Sequence, residues 1–204
     1  MLRAADSELI QIVSSATANA ARRSGHWLLC RPGCTQCCVG VFAINQLDGL
    51  RLREGLHSLD TTDPARAEAV RERAQDSMKR LAPAFPGDLT TGILHESEEF
   101  EDFANDEPCP ALDPSTGTCD LYASRPMTCR VFGLPIRTEN EAGEKGIGIC
   151  ELCFDGATED EILAAELDTS WTALENAQVR DAEEQLGRSG NTIIAFVLAE
   201  KLDV

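Results

Sequence analysis

Apolar residues recur about every 3.6 positions in three stretches of the chain, the spacing that lines one face of an α-helix. In the first stretch Leu9, Ile10, Val13, Ala16 and Ala20 share a face and Gly25 offers a stop, which predicts a helix over 3–24. In the second, Asp63 is placed to cap and Pro64 to open a helix whose stripe is Ala67, Val70, Ala74, Met78 and Leu81, with Pro83 and Pro86 ending it. In the third, Thr158 and Glu161 form a capping box ahead of Ile162, Leu163, Leu167, Trp171 and Leu174, predicting a helix over 159–186 that Gly187 and Gly190 break. Asn45 is set to cap a short helix using Leu47 and Leu50, and Asn191 a last one running through Ile193, Ile194, Val197, Leu198 and Leu202.

Between these helices the periodicity disappears. Residues 26–40 are rich in Cys, Pro and Gly, and residues 87–157 hold Gly, Pro, Asp and five cysteines with no sustained repeat. The expected fold class is mainly α, with helical ends packed around an irregular, cysteine-rich, metal-organised middle. The expected organisation is a single domain over 1–204, with a cysteine-cluster metal-binding region at 30–153 and C-terminal helices at 158–204. Long stretches without regular structure need something else to order them inside a compact domain. Thiolates gripping a metal would do so, because the binding free energy becomes folding free energy.

Charge narrows the partners. The formal net charge is −17, the reverse of what neutralising nucleic-acid phosphates requires, and an anionic membrane would repel the chain. The longest purely apolar run, Ile193 to Ala199, is far shorter than a membrane span, and the first residues lack a signal peptide's apolar core, so a cytoplasmic location is expected. From Glu96 to Glu107 there are seven acidic residues and no basic ones, a solvated acidic loop or a docking site for a basic protein partner.

The candidate chemistry lies in nine cysteines. The odd number argues against a closed disulfide set, and cysteines in a reducing compartment are more often ligands or redox groups than staples. One group is Cys30-Arg-Pro-Gly-Cys34-Thr-Gln-Cys37-Cys38, in which short gaps and the Pro32-Gly33 turn let several sulfurs face one centre. The other is Cys109, Cys119, Cys129, Cys150 and Cys153, the last two forming a CxxC. All nine are candidate metal ligands. Zinc suits isolated tetrahedral sites built from CxxC pairs, whereas iron–sulfur clusters are held by several closely spaced thiolates. Neighbouring side chains such as those of Cys37 and Cys38 tend to diverge, which favours two metals of a cluster, two separate sites, or one of the pair not being a ligand, and tilts the expectation to an iron–sulfur cluster over zinc. Arg31, Arg125 and Arg130 are placed to offset clustered thiolate charge, and Trp27 and Phe42 to pack water away from the sulfurs. His26, His57 and His95 are scattered; His26, four residues before Cys30, is placed where it could ligate, and His57 and His95 read as surface residues.

These residues carry a family resemblance. The series Cys30-x3-Cys34-x2-Cys37-Cys38, Cys109-Pro110-x-Leu112, and Cys119-x2-Tyr122-x2-Arg125-Pro126-x2-Cys129-Arg130-x-Phe132 resembles the YkgJ-type CxxxCxxCC cysteine-cluster proteins, described as zinc- or iron-chelating, over roughly 30–150. The resemblance implies eight ligands, Cys30, Cys34, Cys37, Cys38, Cys109, Cys119, Cys129 and Cys150, and leaves Cys153 outside its pattern. A related cysteine pattern in flagellin lysine-N-methylase implies an iron–sulfur cluster as the occupant. Cys30-x3-Cys34-x2-Cys37 also matches the radical S-adenosylmethionine spacing, but the alternating strands and helices of that family are not legible downstream. The function expected is metal or cluster binding for electron transfer, metal handling or structural use. The alternatives are a cluster-dependent enzyme of redox or methyl-transfer type, or an acidic adaptor with a structural zinc site.

Overall fold

The computed structural model describes residues 2–95, 100, 102–139, 143 and 145–200. In chain order these form α1 (Leu2–Ser24), β1 (Ala43–Ile44), α2 (Gln46–Thr62), α3 (Pro64–Leu81), β2 (Gly87–Asp88), β3 (Ile93–Leu94), β4 (Leu112–Asp113), β5 (Thr118–Cys119), α4 (Met127–Val131), β6 (Ile136–Glu139), β7 (Lys145–Gly148), α5 (Glu159–Ala165), α6 (Thr172–Leu186), β8 (Thr192–Ile193) and α7 (Ile194–Ala199). The strands pair only as two-stranded antiparallel pieces, β1 with β8, β2 with β3, β4 with β5 and β6 with β7. The chain is mainly helical with an irregular cysteine-rich middle, as its periodicity predicts. No helix among the described residues is long and apolar enough to cross a membrane.

The chain divides into two compact units, one made of residues 1–31 and 128–178 and the other of residues 32–127 and 179–204. In the first, α1 packs against α5. Ala20, Leu134 and Leu167 bury together, with Ala16, Leu28, Val131 and Ile136 around them. At the end of α1, Arg23 donates from Nε to the Ala164 carbonyl at 2.8 Å and from Nη2 to the Glu166 carbonyl at 2.6 Å, so one helix supplies donors to the bare carbonyls closing another. Thr158 and Glu161 make the expected capping box at the start of α5.

The expected helix over 159–186 is interrupted. α5 ends at Ala165 and α6 starts at Thr172. The cause is tertiary: the Leu167 amide donates to the Pro135 carbonyl at 2.8 Å instead of to its own helix, and Asp168 accepts from the Ser170 amide in a local turn.

In the second unit α2, α3 and α7 pack around Ile44, Leu52, Leu56, Val70, Val197 and Leu198, side chains that each contribute about 1.5–3 kcal/mol when fully buried. Asn45 caps α2 by accepting from the Asp48 amide at 2.9 Å, and the helix runs to Thr62 rather than staying short. Asp63 caps α3 through the Arg66 amide at 3.1 Å, with Pro64 in the first turn. The last helix departs from expectation. Thr192 and Ile193 are extended, paired with Ile44 and Ala43, so α7 begins after Ile193 with no side-chain cap, and Asn191 instead offers its carbonyl to the Leu94 amide. Leu202, and the acidic positions Glu96, Glu98, Glu99 and Glu101, lie outside the described residues.

Candidate metal centre

All nine cysteines carry thiols rather than disulfides. The two units divide them. Cys30, Cys129, Cys150 and Cys153 belong to the first, and Cys34, Cys37, Cys38, Cys109 and Cys119 to the second.

In the second unit the chain between Cys34 and Gly40 makes a 3-10 turn at Gln36–Cys38 and then runs alongside the segment at 107–109. The Cys109 amide donates to the Cys38 carbonyl at 2.8 Å, and the Gly40 amide to the Glu107 carbonyl at 2.9 Å. This antiparallel contact sets Cys38 beside Cys109. From Cys109 the chain enters the β4–β5 hairpin, where Cys119 stands opposite Leu112. At the hairpin tip, a Cβ on Gly117 would sit 3.8 Å from Thr35 Cγ2 and 3.9 Å from Gly33 Cα, so the loop carrying Cys34 lies on the same hairpin that carries Cys119. Cys109 and Cys119 rest against the α2–α3–α7 core together with Phe42.

Two arginines of α3 clamp that hairpin. Arg73 donates from Nε to the Pro110 carbonyl at 2.9 Å and from Nη2 to Asp120 Oδ2 at 2.5 Å, while Arg66 Nε meets Asp120 Oδ1 at 2.5 Å. The clamped residues immediately follow Cys109 and Cys119. Farther along, α2 passes so close to the turn at Tyr122–Ser124 that a Cβ on Gly55 would lie 2.3 Å from Ser124 Oγ, so only glycine fits there. Buried Asp48 on α2 accepts from Arg51 Nη1 at 2.6 Å and from the Met127 amide at 3.0 Å, fixing the chain where α4 begins.

Within the tight turn the Cys37 and Cys38 sulfurs hydrogen-bond. The Cys38 thiol donates toward Cys37, which draws the Cys37 pKa down; burial opposes this, and the Arg125 charge adds to it. Cys38 is driven the other way because its proton is held in that bond, with burial and the neighbouring Cys37, Cys109 and Cys119 adding to the rise. Burial pushes Cys109 up to about 12, with Cys119 and Cys37 contributing. Burial also raises Cys119, which feels Asp120 and Cys37 in the same direction and Arg125 in the opposite one. Neighbouring thiols thus raise the cost of charging Cys38, Cys109 and Cys119, an effect that a cation among them would reverse. Arg125 stacks over the Tyr122 ring at 3.8 Å and donates to the Tyr122 carbonyl at 2.9 Å.

In the first unit Cys150 and Cys153 are buried beside Phe154 and Ala165, with Trp27, Leu28 and Ile162 packed around them. The Cys153 amide donates to the Cys150 carbonyl at 2.8 Å, closing the CxxC turn, and the Phe154 amide to the Trp27 carbonyl at 3.0 Å. Cys30 is exposed and its Sγ lies 3.9 Å from the Phe132 carbonyl. Cys129 sits on α4, partly buried. His57 and His95 are exposed, as their positions suggested, and His26 is exposed too.

A family match covers residues 29–151, more than half of the chain. The chain belongs to the CxxCxxCC family. The family carries the provisional description of a zinc- or iron-chelating domain. Cysteine-cluster metal binding is thus the chemistry the family brings to these thiols. This CxxCxxCC member spaces its first two cysteines by three residues, Cys30 and Cys34, rather than by the two of the family's name. No curated protein matches the chain. No solved structure matches it either.

The donor chemistry fits such a metal, since soft thiolates select zinc and iron–sulfur centres. Among the described residues, however, no group of three or more His, Cys, Asp or Glu side chains stands ready to hold an ion. Arg66, Arg73 and Asp120, which hold the hairpin, and Gly55 and Asp48, which hold its surroundings, were not legible as site residues. The partners that tie them to the hairpin and to the start of α4 lie 37 to 79 positions away along the chain, and no local spacing signals them.

Proposed function

We infer that this CxxCxxCC protein binds iron through its cysteine thiolates, as an iron–sulfur cluster in preference to zinc, and uses it for electron transfer or metal handling. The observation that carries this reading is the second unit's set of five thiols, Cys34, Cys37, Cys38, Cys109 and Cys119. A single structural zinc ion takes four ligands in a closed tetrahedron. Five thiols, two of them on adjacent residues, exceed that number and favour a polynuclear centre. All five keep part of their surface exposed, which suits a centre that exchanges electrons or metal with a partner more than one serving only to hold the fold. The net charge of −17 favours a basic protein as that partner. Nine thiols favour a reducing compartment, the cytoplasm.

Anaerobic purification of the full chain, followed by visible absorption, metal analysis and sulfide determination, tests the proposal. A brown protein with iron and acid-labile sulfide is expected. A colourless protein with stoichiometric zinc would replace iron by zinc, and a folded protein devoid of both would remove the proposal altogether.

A further inference from the structure

We propose that the nine cysteines serve two separate metal centres, one in each unit, and that Cys153 is a ligand of the first together with Cys30, Cys129 and Cys150. The inference rests on the metal-binding reading above and goes beyond the family match, which ends at residue 151 and so leaves Cys153 out.

The first observation is Gly133. It is buried, with φ at +98°, and a Cβ there would lie 2.6 Å from Cys30 Sγ and 3.9 Å from Cys153 Sγ. Sulfurs from opposite ends of the cysteine region thus flank one bare stretch of backbone. Glycine is required on both counts, for the left-handed conformation and for the close approach of sulfur. The second observation is the turn at Cys150–Cys153. Its two cysteines are only 7% and 6% exposed and are walled by Trp27, Leu28 and Phe154. The third is Cys129, on the short helix that leads through Phe132, whose carbonyl faces Cys30 Sγ, to Gly133.

Four thiols is the number that a closed tetrahedral site uses, and three separate chain segments supply them, as a site that staples loops requires. Cys150 and Cys153 at CxxC spacing suit one ion. The occupant is a thiolate-seeking divalent ion, zinc or ferrous iron. Binding exchanges each S–H for an S–metal bond and releases the protons to water, with no change of oxidation state. In the second unit the backbone contact between Cys38 and Cys109, and the hairpin that carries Cys119 on from Cys109, gather a separate set of thiols.

The test is metal per chain in the anaerobically purified full-length protein and in Cys153→Ser, Cys129→Ser, Cys119→Ser and the Cys153→Ser/Cys119→Ser double variant, each checked for helical content by circular dichroism. Cys153→Ser and Cys129→Ser are expected to lose the same share, about one ion per chain for a mononuclear site. Cys119→Ser is expected to lose a different share, and the double variant the combination of both. Full metal retention in Cys153→Ser would overturn the proposal, as would a double variant that loses no more than either single one. Should a variant fail to fold, titration of the stripped, reduced wild-type chain with cobalt(II) decides instead. Tetrahedral cobalt–thiolate absorption rising in two stoichiometric steps supports two centres, and a single step overturns them. A wild-type chain that takes up no metal at all defeats the metal-binding reading itself, an outcome distinct from loss of the two-centre division.

Discussion

Removing Arg66 and Arg73 together should destabilise the protein more than removing the one carboxylate they share. The Asp120 side chain is 2% exposed, whereas Arg66 and Arg73 keep 44% and 26% of theirs in water. In Asp120→Ala the buried anion is gone and both guanidinium groups can turn to solvent. The loss is two charge-assisted hydrogen bonds whose donors were already partly hydrated, about 2 kcal/mol in all after allowing for that exposure. In Arg66→Ala/Arg73→Ala the carboxylate stays buried without a cation, a situation that costs about 3–5 kcal/mol, and the Pro110 carbonyl also loses the Arg73 donor. Chemical denaturation of the three proteins under reducing conditions, followed by far-ultraviolet circular dichroism, measures the order. Because the clamp holds the chain just after Cys109 and Cys119, metal content should fall in the same order. An Asp120→Ala protein as unstable as the double arginine variant, or more so, would refute the argument that asymmetric burial decides the cost.

Asp48→Ala leaves buried Arg51 without its carboxylate and the Met127 amide without its acceptor, and should cost about 3–5 kcal/mol, with Asp48→Asn milder because it keeps an acceptor; a shift in denaturation midpoint worth under about 1 kcal/mol would count against that pair's importance. Thr158→Ala removes the capping box of α5 and should cost about 1 kcal/mol, seen as faster amide hydrogen exchange in residues 159–165; unchanged exchange would contradict it. Thr116 and Ser115, through their hydroxyls and the Ser115 amide, hold the Asp113 carboxyl down to about 2. Since the folded value lies below the unfolded one of about 3.9, the stability Asp113 contributes is complete above about pH 4 and is lost as pH falls from there towards 2. Asp113→Asn should flatten that part of the acid-unfolding curve, and superimposable curves would argue against the hairpin turn as its source.

What the amino-acid order determined by itself was local or chemical. Asp63 before Pro64, Asn45 before α2, and Thr158 paired with Glu161 act on amides three residues away, so their spacing alone announces the helix starts. The cysteines announce metal chemistry because so many thiols at such intervals have little other use. Folding decided the rest. The break between α5 and α6 arises because Leu167 bonds to Pro135, a contact no periodicity encodes. The Asp120 clamp joins residues 47 and 54 positions apart. Only the tertiary structure assigns Cys30 to one unit and Cys34, four residues later, to the other. Spacing along a chain limits which sulfurs can meet, but the backbone's path between them selects which do.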